Sequence, residues 1–420
     1  MRIVVIGGAG AMGRITVKDL VETAPPNVHI QIADYDGDAA KKLAKSFRGR
    51  SVEGLSADVT NHAKTVKLLR GAFGAINCTQ HKFNLAVMRA CLAAGAHYCD
   101  LGGLFHVARK QLELHAKFEK ANLLAILGIG AAPGVVNVLA RSVADGMDEV
   151  HEIHCLVGGI DRTRGRPSVP LGTSYTLDTI IDEATMPAAL FTGGKFTFVE
   201  AMSDDVPVEF PQPVGVVRPA RTLHSEVATL PLSYKDKGVQ EVSFKIAFSP
   251  ELEEDLRFMR ALGMFSDEPI QVGKVKVSPR AVLQRVVARQ PKPQFEGEPD
   301  EYEIVRAVVR GTERAERVEY TVDCHTPGIP IWGLGIDVDT GCPPSIVMQM
   351  LARGQITARG ALPSEQAVPA EPFFAELLKR GMTVRRSRVV LGPAPKKTAQ
   401  NTEKTTKKNA ARRKAKKRAR

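Results

Sequence analysis

Residues 2–13 read Arg-Ile-Val-Val-Ile-Gly-Gly-Ala-Gly-Ala-Met-Gly, and no other stretch restricts the fold so sharply. Ile3-Val4-Val5-Ile6 is a β-branched run with strand character. Gly8, Gly10 and Gly13 complete a G-x-G-x-x-G pattern, and Ile15, Leu20 and Val21 then mark the apolar positions of an amphipathic helix. In the order strand, tight turn, helix, each glycine has a steric task. One closes the turn, one lets the backbone approach a pyrophosphate, and one lets helix and strand pack closely. Ala11 and Met12 fall at the helix start, where free N–H groups and the positive dipole end favour phosphate. A second strand, Ile30-Gln31-Ile32-Ala33, ends at Asp34, 21 residues after Gly13. An acid near that spacing accepts hydrogen bonds from a ribose 2′-hydroxyl, and neither Tyr35 nor Asp36 offers the cation that a 2′-phosphate needs. The expected cofactor is therefore NAD in preference to NADP.

The expected fold class is α/β: a Rossmann-type doubly wound parallel sheet, followed by a second α+β domain with a mainly antiparallel sheet. Residues 1–128 alternate strand-like and helix-like segments, with strands at 74–78, 95–100 and 124–127 and helices at 84–94, 105–121 and 135–144. From about residue 150 the strand-like runs alternate polar and apolar residues (152–157, 242–248, 302–309, 317–322), as in an antiparallel sheet with one solvated face. Helices are expected between them at 177–190 and 250–262. The expected domains are 1–149 for the dinucleotide, 150–330 for substrate and dimerisation, 331–392 returning to the first domain, and 393–420 as a disordered tail.

Charge belongs to the tail. Residues 394–420 hold twelve Lys and Arg and one acid, Glu403, so they carry +11 of the net +12 and leave the body near neutrality. Such a block can meet nucleic-acid phosphates without sequence preference, and it lacks the aromatics that base stacking needs. No apolar run reaches the roughly 18 residues of a membrane span. A strand starting at residue 2 leaves no room for a signal peptide. The six cysteines are scattered with no C-x-x-C, and no Cys/His cluster has ligand spacing. The expectation is a cytoplasmic protein with reduced thiols and no metal.

Several longer motifs carry a family resemblance. They are Gly95-Ala96-His97-Tyr98-Cys99-Asp100-Leu101-Gly102-Gly103, Gly130-Ala131-Ala132-Pro133-Gly134-Val135-Val136-Asn137, Thr222-Leu223-His224-Ser225-Glu226, Thr229-Leu230-Pro231 and Thr340-Gly341-Cys342-Pro343-Pro344-Ser345. With the glycine-rich start, they make residues 1 to about 391 resemble the saccharopine dehydrogenase-like oxidoreductases, closest to their lysine ε-dehydrogenase branch. The resemblance implies a homodimer and hydride transfer between a nicotinamide and a carbon bearing nitrogen. In the lysine branch the side-chain amine is oxidised to a semialdehyde with release of ammonia. In the saccharopine and carboxynorspermidine branches a secondary amine is split or formed. Saccharopine reductases that resemble this chain carry an acid before Pro-Gly that meets the substrate; here that position is Ala132. A non-catalytic Rossmann sensor with a nucleic-acid-binding tail is the third reading.

Such chemistry needs a group to move the amine proton and a contact for an amino-acid carboxylate. Asp100 is the candidate for contacting the substrate amine or fixing the nicotinamide end, and His224 and Glu226 are expected to face the substrate, one as proton acceptor and one as amine ligand. Gly102, Gly103, Arg221 and Ser225 are the candidates for holding substrate, with Arg218 a second possible carboxylate fork. Asn77 and Cys78, in the turn after the fourth strand, are expected to border the cofactor.

Overall fold

The computed structural model describes residues 1–163, 169–172, 176–290 and 298–394. The first sheet holds β1 (Arg2–Ile6), β2 (His29–Asp34), β3 (Val52–Ser56), β4 (Gly74–Asn77), β5 (His97–Asp100) and β6 (Leu124–Leu127), with a seventh strand at Gly360–Pro363. Its order is Gly360–Pro363, β6, β5, β4, β1, β2, β3, and every pairing is parallel. Because helices cover both faces, β1 is apolar on both: Ile3 and Val5 join one core, Val4 and Ile6 another. Strand order reverses between β1 and β4, and α1 (Ala11–Thr23) starts at that switch point, where ligands of open α/β sheets sit. Pro25 and Pro26 follow the end of α1, and neither can continue a helix.

The second sheet runs Thr383–Pro393, Glu316–Thr326, Glu301–Glu313, Glu149–Asp161, Glu241–Ile246, Ala188–Thr192, Lys195–Val199. Ala220–Arg221 pairs with Glu241–Ile246 off that path. Only Glu149–Asp161 and Glu241–Ile246 pair in parallel. Its inward residues Cys155, Val157, Phe244, Val305, Ala307 and Val309 belong to the same core as Val135, Val136, Val138 and Leu139. The helix Val135–Ala144 is buried on nearly all sides because it lies between the two sheets.

The chain beyond residue 330 contributes to both sheets. Helix Val338–Ala352 packs on α1 so closely that a Cβ at Gly341 would lie 2.5 Å from Ile15 Cβ. Thr16 donates its hydroxyl to the Gly341 carbonyl at 2.7 Å. Asp19, fully buried on α1, accepts a two-pronged fork from Arg380 at 2.5 and 2.8 Å and the Ser345 hydroxyl at 2.6 Å. Strand Gly360–Pro363 then extends the first sheet, whereas Thr383–Pro393 pairs with Glu316–Thr326 in the second.

Two expected helices are shorter than their sequence pattern. Residues 105–121 split into Leu104–Leu112 and His115–Lys120, so that His115 can meet the incoming strand through a 3.1 Å contact between Nδ1 and the Ala361 carbonyl. The helix at 177 stops at Thr185, because Pro187 disfavours helical backbone at Met186, and Ala188–Thr192 is a strand. No helix among the described residues is long and apolar enough to cross a membrane, and no group of three or more His, Cys, Asp or Glu there could hold a metal. The basic tail lies outside the described residues from position 395.

Candidate active site

The glycine-rich turn forms one end of a cleft of about 260 Å³ between the two sheets. A Cβ at Gly13 would lie 2.1 Å from the Gly7 carbonyl oxygen, and one at Gly8 would lie 2.9 Å from Ile32 Cγ2, so both glycines are required by the turn itself. At Gly10 a Cβ would meet only the Gly7 carbonyl oxygen, at 3.2 Å; its open side faces the cleft, which Gly10, Ala11 and Met12 line. No side chain caps α1, and its first i→i+4 bond is Arg14 N–H to the Gly10 carbonyl at 3.0 Å. The N–H groups of Ala11, Met12 and Gly13 therefore lack intrahelical acceptors and suit a pyrophosphate.

Asp34 stands at the tip of β2, accepting from Ala9 N–H at 2.9 Å and Asp36 N–H at 3.1 Å. With Asp58, Tyr35 and Thr79 it lines a second hollow beyond the turn, and among the described residues lining that hollow there is neither Lys nor Arg. Thr79 lines both this hollow and the cleft, so the two adjoin beside the glycine-rich turn. Cys78 borders the cleft, its thiol pushed up to about 12 by burial and so neutral. Asn77 does not reach the cleft. It is fully buried, donating to Asn84 Oδ1 at 2.9 Å and accepting from the Thr79 hydroxyl at 2.7 Å, which sets the loop that Thr79 presents.

Asp100 also lies beneath the cleft rather than in it, so of its two expected roles direct contact with a substrate amine does not fit its position. Its carboxylate is fully buried and accepts four hydrogen bonds: Gly102 N–H (3.0 Å), Gly128 N–H (2.8 Å), Tyr98 hydroxyl (2.8 Å) and Gln111 Nε2 (2.6 Å). Burial raises its pKa, against the pull of those donors. The bonds draw two loops together, and the Pro133 ring fills the space between them: a Cβ at Gly102 or Gly128 would lie 2.8 or 2.7 Å from Pro133 Cγ. Gly102, Gly103 and Ala132 thereby line the cleft. Asp100 is thus a positioning residue.

His224 and Ser225 line the cleft, as does a residue the sequence did not single out, Glu183 of helix Leu177–Thr185. His224 Nδ1 lies 2.7 Å from Glu226 Oε2 and Nε2 lies 3.5 Å from Glu183 Oε1, while the ring stacks on Phe244 at 3.8 Å. Burial disfavours the charged imidazole, but the two carboxylates override it and raise its pKa to about 10. At neutral pH the ring is an imidazolium held by two carboxylates. Glu226 is fully buried behind the ring and is not among the lining residues.

Arg221 does not come to the cleft. It pairs with Asp204 at 2.6 Å, and Arg218 approaches Asp205 at 3.8 Å, so neither stands ready to fork a substrate carboxylate. Further cleft walls come from Glu303 on strand Glu301–Glu313 and from Asp337, Asp339 and Thr340 around the start of helix Val338–Ala352. Among the described residues lining the cleft there are four carboxylates and neither Lys nor Arg. The sequence held a faint signal for these acids. Glu183 falls in the apolar stripe of Ile180, Ile181 and Ala184, and Glu303 is in phase with the inward Val305, Ala307 and Val309.

Residues 3–126 match the family model of the saccharopine dehydrogenase NADP-binding domain, and residues 130–382 match that of the saccharopine dehydrogenase C-terminal domain. Carboxyaminopropylagmatine dehydrogenase of Synechocystis sp. is 25% identical over 408 residues, spanning 93% of this chain and 98% of the relative. Carboxynorspermidine synthase of Vibrio cholerae is 23% identical over 400 residues, spanning 89% and 94%. In fold the chain is similar to saccharopine dehydrogenase (L-Glu forming) of Saccharomyces cerevisiae, with TM-score 0.69, 16% identity and coverage of 92% and 99%. It is also similar to the homospermidine synthase of Legionella pneumophila, solved with NAD, with TM-score 0.66, 12% identity and coverage of 94% and 93%. The dinucleotide cradle, the amine-compatible cleft and both domain matches converge: this chain belongs to the saccharopine dehydrogenase family and is an NAD(P)-dependent dehydrogenase acting on amine donors.

Proposed function

We propose that the protein is an NAD-dependent oxidoreductase that forms or splits a secondary amine joining an amino-acid semialdehyde unit to a polycationic amine. The observation that carries this reading is the acid-rich cleft: among the described residues that line it, Glu183, Glu303, Asp337 and Asp339 are carboxylates and none is Lys or Arg. A carboxylated polyamine carries at least one more cationic nitrogen than free lysine, whose α-ammonium and ε-ammonium are offset by one carboxylate, and so suits such walls better. The names of the sequence relatives point the same way.

When bound, the dinucleotide supplies the hydride chemistry at the carbon bearing nitrogen. The Asp100-centred loops present Gly102 and Gly103, and the uncapped first turn of helix Leu104–Leu112 offers N–H groups for the substrate carboxylate. Glu183, on the cleft side of His224, accepts a proton from the substrate amine. The His224 imidazolium holds Glu183 in place and returns a proton when water or amine departs, with Glu226 as its anchor. Asp34 and Asp58 would repel a 2′-phosphate, which favours NAD over NADP.

The test supplies aspartate semialdehyde, NADH or NADPH, and each of 1,3-diaminopropane, putrescine and agmatine, with mass spectrometry of the product. In parallel, NAD and L-lysine are supplied and ammonia is measured. A secondary-amine product made with NADH supports the reading. Ammonia release from lysine, with no condensation product, overturns it in favour of the lysine branch.

A further inference from the structure

We propose that Glu303 and Asp339 form a subsite that takes the distal protonated nitrogen of the amine substrate, remote from the nitrogen whose bond is made or broken. This rests on the secondary-amine reading above and adds what the cleft selects for.

The two carboxyl groups come from different elements and meet in the cleft wall. Glu303 lies on strand Glu301–Glu313, in phase with the inward Val305, and Asp339 lies in the first turn of helix Val338–Ala352. Asp339 is only 2% exposed, and its Oδ2 has no hydrogen-bond donor although the residue lines the cleft. The groups facing the pair are Asp337, Glu301, the Cys324 thiol, and the Thr326 and Thr340 hydroxyls. Among the described residues named here, none is a cation. Asp339 Oδ1 accepts the Thr340 hydroxyl at 3.3 Å, so the unmet need is at Oδ2, and a buried carboxylate oxygen left without a donor is costly and either keeps a proton or takes a partner. Burial, with the neighbouring acids adding to it, pushes both carboxyls up, Asp339 to about 7. The pair thus holds a proton when the cleft is empty, and an arriving ammonium or guanidinium replaces that proton with a paired charge.

The position of the pair sets it apart from the proton-moving group. Glu183 and His224 come from helix Leu177–Thr185 and the segment before helix Glu226–Ser233, and they contact each other. Glu303 and Asp339 come from other elements, strand Glu301–Glu313 and helix Val338–Ala352, the latter packed on α1. A substrate whose reacting nitrogen meets Glu183 therefore has a second anionic station available for its far end.

The experiment compares agmatine, putrescine and butylamine, which share a four-carbon chain with a primary amine at one end and differ at the far end, where they carry guanidinium, ammonium and methyl. Binding to the NADH-loaded protein is read by calorimetry. Agmatine, putrescine or both are expected to bind at least about 10-fold tighter than butylamine. E303Q and D339N should each cut that preference at least about 5-fold, with butylamine binding within about twofold and NADH affinity serving as the folding control. Which dication wins tells guanidinium from ammonium. Equal binding of all three amines to the wild type overturns the subsite without recourse to any variant. A preference that survives in both variants overturns it as well. Because binding is read without turnover, absence of a condensation product would sink the reaction proposed above while leaving the subsite measurable.

Discussion

Glu226→Gln keeps the shape of the side chain and removes its charge, and its effect can be worked from the contacts of His224. Nδ1 lies 2.7 Å from Glu226 and Nε2 lies 3.5 Å from Glu183, and the ring pKa stands at about 10 against an ordinary 6.5. A charge pair about 4 Å apart at an effective dielectric near 20 interacts by about 4 kcal/mol, or about 3 pH units. Removing the Glu226 charge should therefore lower the ring by about 3 units, to roughly 7, with Glu183 remaining as its one carboxylate partner. The raised value also fixes the sign of the stability effect. His224 gains its partners on folding, so its contribution is complete below about pH 6.5 and is lost as pH rises towards 10. Wild-type stability should therefore fall over that window by more than the variant's does. The assay is an NMR titration of the His224 ring in both proteins, with urea unfolding at pH 7 and pH 9.5. A ring that titrates within about half a unit of wild type in Glu226→Gln would refute the argument that these carboxylates hold the imidazolium.

Gly10→Asp projects a carboxylate into the pyrophosphate cradle and should weaken NADH binding on the order of 100-fold with little change in Tm; unaltered affinity by fluorescence titration would remove the cradle assignment. Asp34→Ala should cost NAD about 10-fold and leave NADP binding unchanged or tighter, and equal losses for both would contradict the ribose contact. Arg380→Met leaves Asp19 as an unpaired buried charge and should cost about 3–5 kcal/mol by chemical denaturation, and pairing it with Asp19→Leu should restore a large part. An unshifted midpoint in the single variant would show that the fork contributes nothing to holding the C-terminal segment on α1.

The first sheet was legible because its signals are local. A β-branched run, fixed glycine spacing and an acid at a strand end each act within a few residues, and β1, α1, β2 and Asp34 lie where those rules put them. The site was only partly legible. His224, Ser225, Gly102 and Gly103 come to the cleft, whereas Asp100 and Asn77 satisfy themselves beneath it and Arg221 pairs with Asp204. Whether a polar side chain faces a cleft or supports it depends on partners distant in sequence: Gln111 and Gly128 for Asp100, Asn84 for Asn77. Glu183, Glu303 and Asp339 were passed over for a related reason. An acid set in an apolar stripe looks like a fault in the pattern until the opposing wall is known.

The seventh strand of the first sheet has a consequence for how the protein is made. Strand Gly360–Pro363 pairs with β6, and Thr383–Pro393 borders the second sheet, so neither sheet is complete until nearly the whole described chain has left the ribosome. During synthesis the Leu124-Ala125-Ile126-Leu127 edge stands unpaired, and an apolar open edge is a template for another nascent copy. Pairings that span so much chain are slow to close. The dinucleotide half is translated first and finished late, so its β6 edge stays open through most of synthesis.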